Sequence, residues 1–484
     1  MSVFKKLFKQ AFIYGLATIL PRIMAVILVP LYTSVMLPEE YGIYSTVMAY
    51  LILGNVVLSY GMETAFFRFV TKDSSNQKIV QSTTLTSLTI STLLFLGITM
   101  LFRNEIAIIS DFNPEYVTYG LLILALDALV VLPFVWFRVN ERPLRYAIVK
   151  IFNVVINLAF NLFFLLMLPK LAENSSYWNS LWFPENKVAY VFIANLIASA
   201  VTLLVLLPLY IKIGFGFNKT IWKQMMKYAI PVLIAGIAFS INEAFDRILL
   251  KYLLPENIAE VQVGLYSACY KLGMFMTLFV MAFRLGIEPF FFNHSGHANA
   301  KNTYATITKY FTLFGCLILL GVVVYIDVFK KILIPNSQYW EALAIVPIIL
   351  LANLFLGIYH NLSVWYKVTD RTKYGAYISF FAAVVTLVLN YVLIPIIGYM
   401  GSAIATLAAY GSMMVLSYLY GRKYYDVPYD VKKIGSYLMI AIGFSAISFY
   451  GFNGNIWIGT ALLLVFATIM FFFEKNEFLK ILKK

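Results

Sequence analysis

Ionisable groups stand where an apolar chain has no use for them. Glu243, Asp246 and Arg247 fall inside residues 228–254, YAIPVLIAGIAFSINEAFDRILLKYLL. That run is long enough to cross a bilayer, for which about 20 apolar residues at roughly 1.5 Å each suffice. Arg22, Glu63, Asp127, Lys271, Arg284 and Glu288 fall inside other such runs, with Arg68 at a margin. An ionised side chain deep in hydrocarbon costs roughly 2.5–3.5 kcal/mol on insertion scales. Such groups persist where they face protein or water, so these segments are expected to line an aqueous cavity. Arginine and lysine there can neutralise an anionic ligand, while carboxylates can take up a proton or a cation. Arg22, Arg247, Lys271 and Arg284 are therefore candidate substrate-binding residues of a cationic cavity. Asp127, Glu243, Asp246 and Glu63 are candidates for ion coupling or for pairing.

Pairing is the structural alternative. Glu243 and Arg247 are four residues apart, as are Arg284 and Glu288, the spacing at which neighbours on one helix face meet. Asp246 can pair with Lys271 on the next segment. For Arg22 the acidic group at matching depth is Asp127. Asn153, Asn157 and Asn161 recur every four residues and form a polar cavity face turned away from lipid. They either bond ligand hydroxyls or hold helices together. His294 and His297 have no third ligand nearby, so no metal site is expected. Cys269 and Cys316 lie in apolar segments without CxxC or histidine neighbours and read as buried free thiols. There is no phosphate-binding glycine loop, no catalytic constellation and no loop long enough for an active-site domain. The chain is expected not to be an enzyme and to need no cofactor, with coupling to H⁺ or Na⁺ left open.

Fourteen apolar segments must position these groups: 10–36, 41–67, 80–102, 116–137, 146–169, 188–211, 228–254, 262–290, 304–328, 341–366, 374–394, 398–420, 434–452 and 455–473. Over the 484 residues 61% are hydrophobic and 12% charged, with a mean hydropathy of +0.82. These values exclude an ordinary soluble domain. The first segment carries Arg22 and is too long for a signal sequence, so it is expected to remain as a helix. The net charge of +14 comes from residues between the apolar segments, not from a nucleic-acid-binding patch. The amino terminus, the loops after even segments and the carboxyl terminus hold twenty-seven of the 37 basic residues, and the loops after odd segments hold six. The positive-inside rule then places both termini in the cytoplasm. Pro21 and Pro30 in the first segment and Pro231 in the seventh are candidate bending points.

The chain also repeats itself. LPEEYGIYS at 37–45 matches LPENIAEVQVGLYS at 254–267, which puts Tyr44 and Tyr266 222 residues apart. NLFFLLMLP at 161–169 matches NYVLIP at 390–395, with Asn161 and Asn390 229 apart. Segments 1–6 and 7–12 therefore read as two copies of one orientation. The expected division is a first lobe at 1–215, a second at 216–425, and two additional segments with a cytoplasmic tail at 426–484.

LPRIMAVILVPLYTSVMLPEEYGIYS at 20–45, DRILLKYLLPENIAEVQVGLYSACYKL at 246–272 and LNYVLIPIIGYMGSAIAT at 389–406 resemble Wzx-type oligosaccharide flippases. These form the polysaccharide-transport branch of the MATE-like MOP exporter superfamily. The resemblance covers about residues 1–425. It implies an all-α membrane protein with two six-helix lobes in a V around a central cavity. It also implies translocation of an undecaprenyl-pyrophosphate-linked repeat unit, as for O-antigen of lipopolysaccharide or capsule, to the outer leaflet by alternating access. The implied setting is the bacterial inner membrane. The implied partners are the lipid-linked oligosaccharide, membrane lipids and other polysaccharide-assembly proteins, with no nucleic acid. A MATE-type drug or cation antiporter, a lipid II flippase, and a membrane glycosyltransferase or polymerase are the alternatives.

Overall fold

Apolar length is what makes each element here, because a helix satisfies its own backbone in a solvent that offers no hydrogen bonds. A computed structural model describes residues 3–72, 76–294 and 299–482. Among them fourteen helices are long and apolar enough to cross a membrane. They are α1 (Ile13–Val35), α2 (Pro38–Thr71), α3 (Gln77–Leu101), α4 (Pro114–Val139), α5 (Pro143–Asn174), α6 (Pro184–Ile213), α7 (Lys219–Leu253), α8 (Glu256–Ile287), α9 (Ala300–Val324), α10 (Ser337–Val368), α11 (Lys373–Ile397), α12 (Tyr399–Tyr424), α13 (Val431–Gly451) and α14 (Ile456–Lys475). Each falls on one of the fourteen segments expected from sequence.

Local signals set the starts. Pro38 opens α2, and the Glu40 carboxylate reaches back to accept from the Leu37 N–H at 2.8 Å. The Asn113 side chain accepts from the Glu115 N–H ahead of α4, and Asn218 accepts from the N–H groups of Thr220 and Ile221 ahead of α7. Within α2 the chain turns at Tyr60 and Gly61, both left-handed. A Cβ on Gly61 would lie 2.4 Å from the Ala229 carbonyl oxygen, so this turn takes glycine for space as well as for φ. Pro21 and Pro30 sit inside one continuous helix, as does Pro231. Five-residue π-helical stretches occur at Phe163–Met167 and Ile447–Gly451.

Contacts divide the chain into two units, Met1–Gly264 and Leu265–Lys484. This division lies within α8, and α7 packs on both halves of α2 in the first unit. Inside the first unit, α2, α3 and α6 surround α4, and α5 packs on α6. Inside the second, α8, α9 and α12 pack on α10, and α11 packs on α12. The same helix order builds the same packing twice, as the internal repeat leads one to expect.

The repeated asparagines are buried in both. Asn161 accepts from the Tyr32 hydroxyl at 2.9 Å, joining α5 to α1, and its own amide donates to the Asn157 carbonyl at 2.8 Å. Asn390 accepts from the Ser402 hydroxyl at 2.7 Å, joining α11 to α12. In the second unit α13 and α14 are tied to α9 by a carboxylate with no exposure. Glu474 meets Lys309 at 2.8 Å and Lys433 at 2.7 Å and accepts from the Tyr437 hydroxyl at 2.7 Å.

Candidate functional site

The charges of α7 separate into one open and one buried group. Arg22 on α1 meets Glu243 on α7 at 3.5 Å, and the two side chains remain 41% and 34% exposed. One turn on, the Arg247 guanidinium meets Asp246 at 3.0 Å, and these side chains are only 12% and 6% exposed. Arg247 also donates to the Glu243 carbonyl at 3.2 Å, which fixes its fork against the helix backbone. Two sequence expectations change here. The acidic partner of Arg22 is Glu243, not Asp127, because α1 and α7 bring these two positions together. Arg247 pairs with the neighbouring Asp246, while the Glu243 carboxylate turns to Arg22.

Asp127 instead accepts from the Ser199 hydroxyl on α6 at 2.8 Å. Nearby Lys150 on α5 lies 4.1 Å from the centroid of the Phe134 ring. Glu63 pairs with Arg138 at 2.7 Å between α2 and α4, with both side chains more than two-fifths exposed. Asn153 donates to the Thr202 hydroxyl at 2.9 Å. Asn153 and Asn161 thus bond to other helices, while Asn157 accepts from Asn161 on the same helix.

In the second unit Lys271 lies in a 3₁₀ turn, Lys271–Gly273, that interrupts α8. Arg284 lines a small pocket with Phe283, Phe311, His360, Asn361 and Lys367. His360 and Lys367 on α10 thus line one pocket with Arg284, a grouping that sequence reasoning missed. The i, i+7 spacing of these two residues was the available signal. The Arg284–Glu288 pairing and the loop histidines His294 and His297 lie outside the described side chains. Cys269 and Cys316 are buried free thiols, as expected.

Lys251, at the end of α7, was not among the candidate residues read from the sequence. It is 6% exposed. Its ammonium donates to the Asp111 carbonyl at 2.7 Å and to the Glu260 carboxylate at 3.0 Å, and it lies 3.9 Å from the Phe112 ring centroid. Lys309 on α9 is likewise buried, in the Glu474 cluster.

A family model described as polysaccharide biosynthesis protein matches residues 7–291, more than half of the chain. The chain belongs to this polysaccharide biosynthesis protein family. A second family model, MatE, matches residues 231–392 of it. No curated protein matches. Among solved structures, the family member is similar to a lipid II flippase, MurJ, in an inward closed conformation. The TM-score is 0.70 at 15% identity, over 95% of this chain and 99% of that one. It is also similar to an inward-facing multidrug resistance MATE transporter of the MOP superfamily, with a TM-score of 0.62 at 14% identity, over 89% of this chain and 96% of that one. A mutant of the Vibrio cholerae MATE transporter VcmN gives 0.59 at 14% identity over 87% and 96%. This polysaccharide biosynthesis family member therefore has the helical fold of MOP-superfamily transporters.

Proposed function

We propose that this polysaccharide biosynthesis family member is a flippase. It carries an undecaprenyl-pyrophosphate-linked oligosaccharide repeat unit from the cytoplasmic to the outer leaflet of a bacterial inner membrane. The observation that carries the reading is Arg22. It lies within a membrane-length helix, yet two-fifths of its side chain is open and its ion pair with Glu243 is long. A guanidinium so placed needs water or an anion beside it. The family described as polysaccharide biosynthesis and the fold shared with a lipid II flippase favour a lipid-linked glycan as that anion.

The physics of the task suits this arrangement. A glycan headgroup cannot cross hydrocarbon unaided, whereas the lipid tail need never leave it. Pyrophosphate brings about two negative charges, and with the cytoplasm negative their outward passage gains roughly 4–5 kcal/mol at 100 mV. Neutralising cations and any coupled ion reduce this. Asp127 and Glu243 are the carboxylates available for taking up H⁺ or Na⁺.

A MATE-type antiporter is the second reading, supported by the MatE match over residues 231–392. The two are separated by reconstituting the purified protein in liposomes and offering each cargo under an imposed potential. Potential-sensitive appearance of a pyrophosphate-linked oligosaccharide on the far face, with no uptake of organic cations, is the expected result. Cation uptake without glycan flipping would replace the flippase by the antiporter.

A further inference from the structure

Two glycines at equivalent places in the repeat touch each other. Gly42 and Gly264 are separated by 222 residues, the same offset as Tyr44 and Tyr266. A Cβ on Gly42 would lie 1.9 Å from the Glu260 carbonyl oxygen and 3.1 Å from the Gly264 nitrogen. A Cβ on Gly264 would lie 1.8 Å from the Pro38 carbonyl oxygen and 3.1 Å from the Gly42 nitrogen. The contact is reciprocal: each helix offers the same repeat position to the other, as at a two-fold axis. Only hydrogen fits on either side, so α2 and the start of α8 cross backbone against backbone near their first turns.

Bonds that can exchange with water surround this crossing. Lys251 holds the Asp111 carbonyl and the Glu260 carboxylate, as described above. The Tyr50 hydroxyl donates to that of Tyr252 at 2.9 Å, which donates to the Ser110 carbonyl at 3.1 Å. Glu40, which caps α2, meets Lys187 at 3.5 Å. A polar cavity of about 690 Å³, lined by Asn104, Asp111, Lys251, Glu256 and Glu260, adjoins the lysine. Behind the crossing, Ala49, Ala244 and Ile248 form a small buried cluster.

We propose that the Gly42–Gly264 crossing, with Lys251 as its strut, is a latch that closes the face of the protein opposite the amino terminus. By the charge bias of the loops this is the outer face. The latch opens when α2 parts from the end of α7 and the start of α8 together, which uncovers the buried Ala49. Two features suit it to repeated use. Glycines leave no interlocked side chains, so the helices separate and meet again without rotamer changes. The polar bonds lie beside an open cavity where water can replace each partner. What passes when the latch opens rests on the flippase reading; the latch itself does not.

The test uses the full-length protein with Ala49→Cys as reporter, in oriented membranes, and a membrane-impermeant maleimide on the outer side. The unsubstituted chain, whose two cysteines are buried, supplies the background. Alanine at either glycine puts a methyl where a backbone oxygen sits and penalises only the closed state. Labelling of Ala49→Cys is expected to rise about tenfold or more in Gly42→Ala and in Gly264→Ala. Gly97→Ala, whose Cβ would meet nothing within 4 Å, should leave it unchanged. Unchanged labelling in a folded Gly42→Ala or Gly264→Ala overturns the latch. If neither alanine variant folds, Lys251→Met, which leaves the crossing intact, replaces them. A rise in labelling there supports the latch, and no change overturns it. The readout needs no lipid substrate, so failure of the flippase reading would appear in the transport assay alone.

Discussion

Removing the charge on Glu243 should tighten the grip on an anionic headgroup, and removing Arg22 should loosen it. At 3.5 Å the Coulomb energy of this pair is about 1 kcal/mol in a watery environment and about 5 kcal/mol at an effective dielectric constant of 20. With both side chains about one-third exposed or more, the lower figure applies, since open ion pairs are worth about 0–1 kcal/mol. On the proposed flippase reading, Glu243 is thus a weak competitor that an incoming phosphate would displace. Glu243→Gln should strengthen binding of a pyrophosphate-linked oligosaccharide by about fivefold, the equivalent of roughly 1 kcal/mol. Arg22→Ala forfeits hydrogen bonds to a charged group, about 1.5–3 kcal/mol, and should weaken binding about 10- to 150-fold. The assay is equilibrium binding to purified protein in nanodiscs at low and high salt, with the wild-type difference shrinking as salt rises. Binding within twofold of wild type in Arg22→Ala, or weaker binding in Glu243→Gln, would refute the assignment of Arg22 to the headgroup.

Two further outcomes follow from other clusters. Glu474→Gln should destabilise the second unit by about 3–5 kcal/mol, because it removes the charge from a carboxylate with no exposure that meets both Lys309 and Lys433. Adding Lys309→Met should recover more than half of that loss in detergent melting experiments, and strictly additive losses would mean that the buried pair is not coupled. For the carboxylates, the combined change Asp127→Asn with Glu243→Gln should abolish the dependence of flipping on an imposed H⁺ or Na⁺ gradient. Gradient dependence that survives in liposomes would remove both residues from ion coupling.

Much of this architecture is local and therefore visible in the chain. About 20 apolar residues in a row must form a helix in hydrocarbon whatever else surrounds them, so all fourteen spans could be placed, most of their ends to within a few residues. Pro38 with Glu40, Asn113 and Asn218 mark helix starts because a cap involves only its own turn. The repeat around Gly42 and Gly264 was legible for the same reason, being a pattern of neighbours. Its meaning was not: nothing in YGIYS or VGLYS says that the two glycines meet.

The partners of the charges were the other hidden part. Depth along a helix follows from counting residues, and it placed Arg22 and Asp127 at one height. Which way a helix is turned depends on the packing of its whole surface, a sum of many small contacts. That sum set Arg22 against Glu243, left Asp127 to Ser199, and buried Lys251 and Lys309 against carboxylates. The sequence by itself thus determined how many helices cross, where they begin and that they come as a repeat, since these follow from backbone hydrogen bonding and local apolar length. Only the tertiary structure decided which charges stay exposed, which are buried in pairs, and that two repeat glycines meet, since these depend on how helices distant in the chain are rotated and packed.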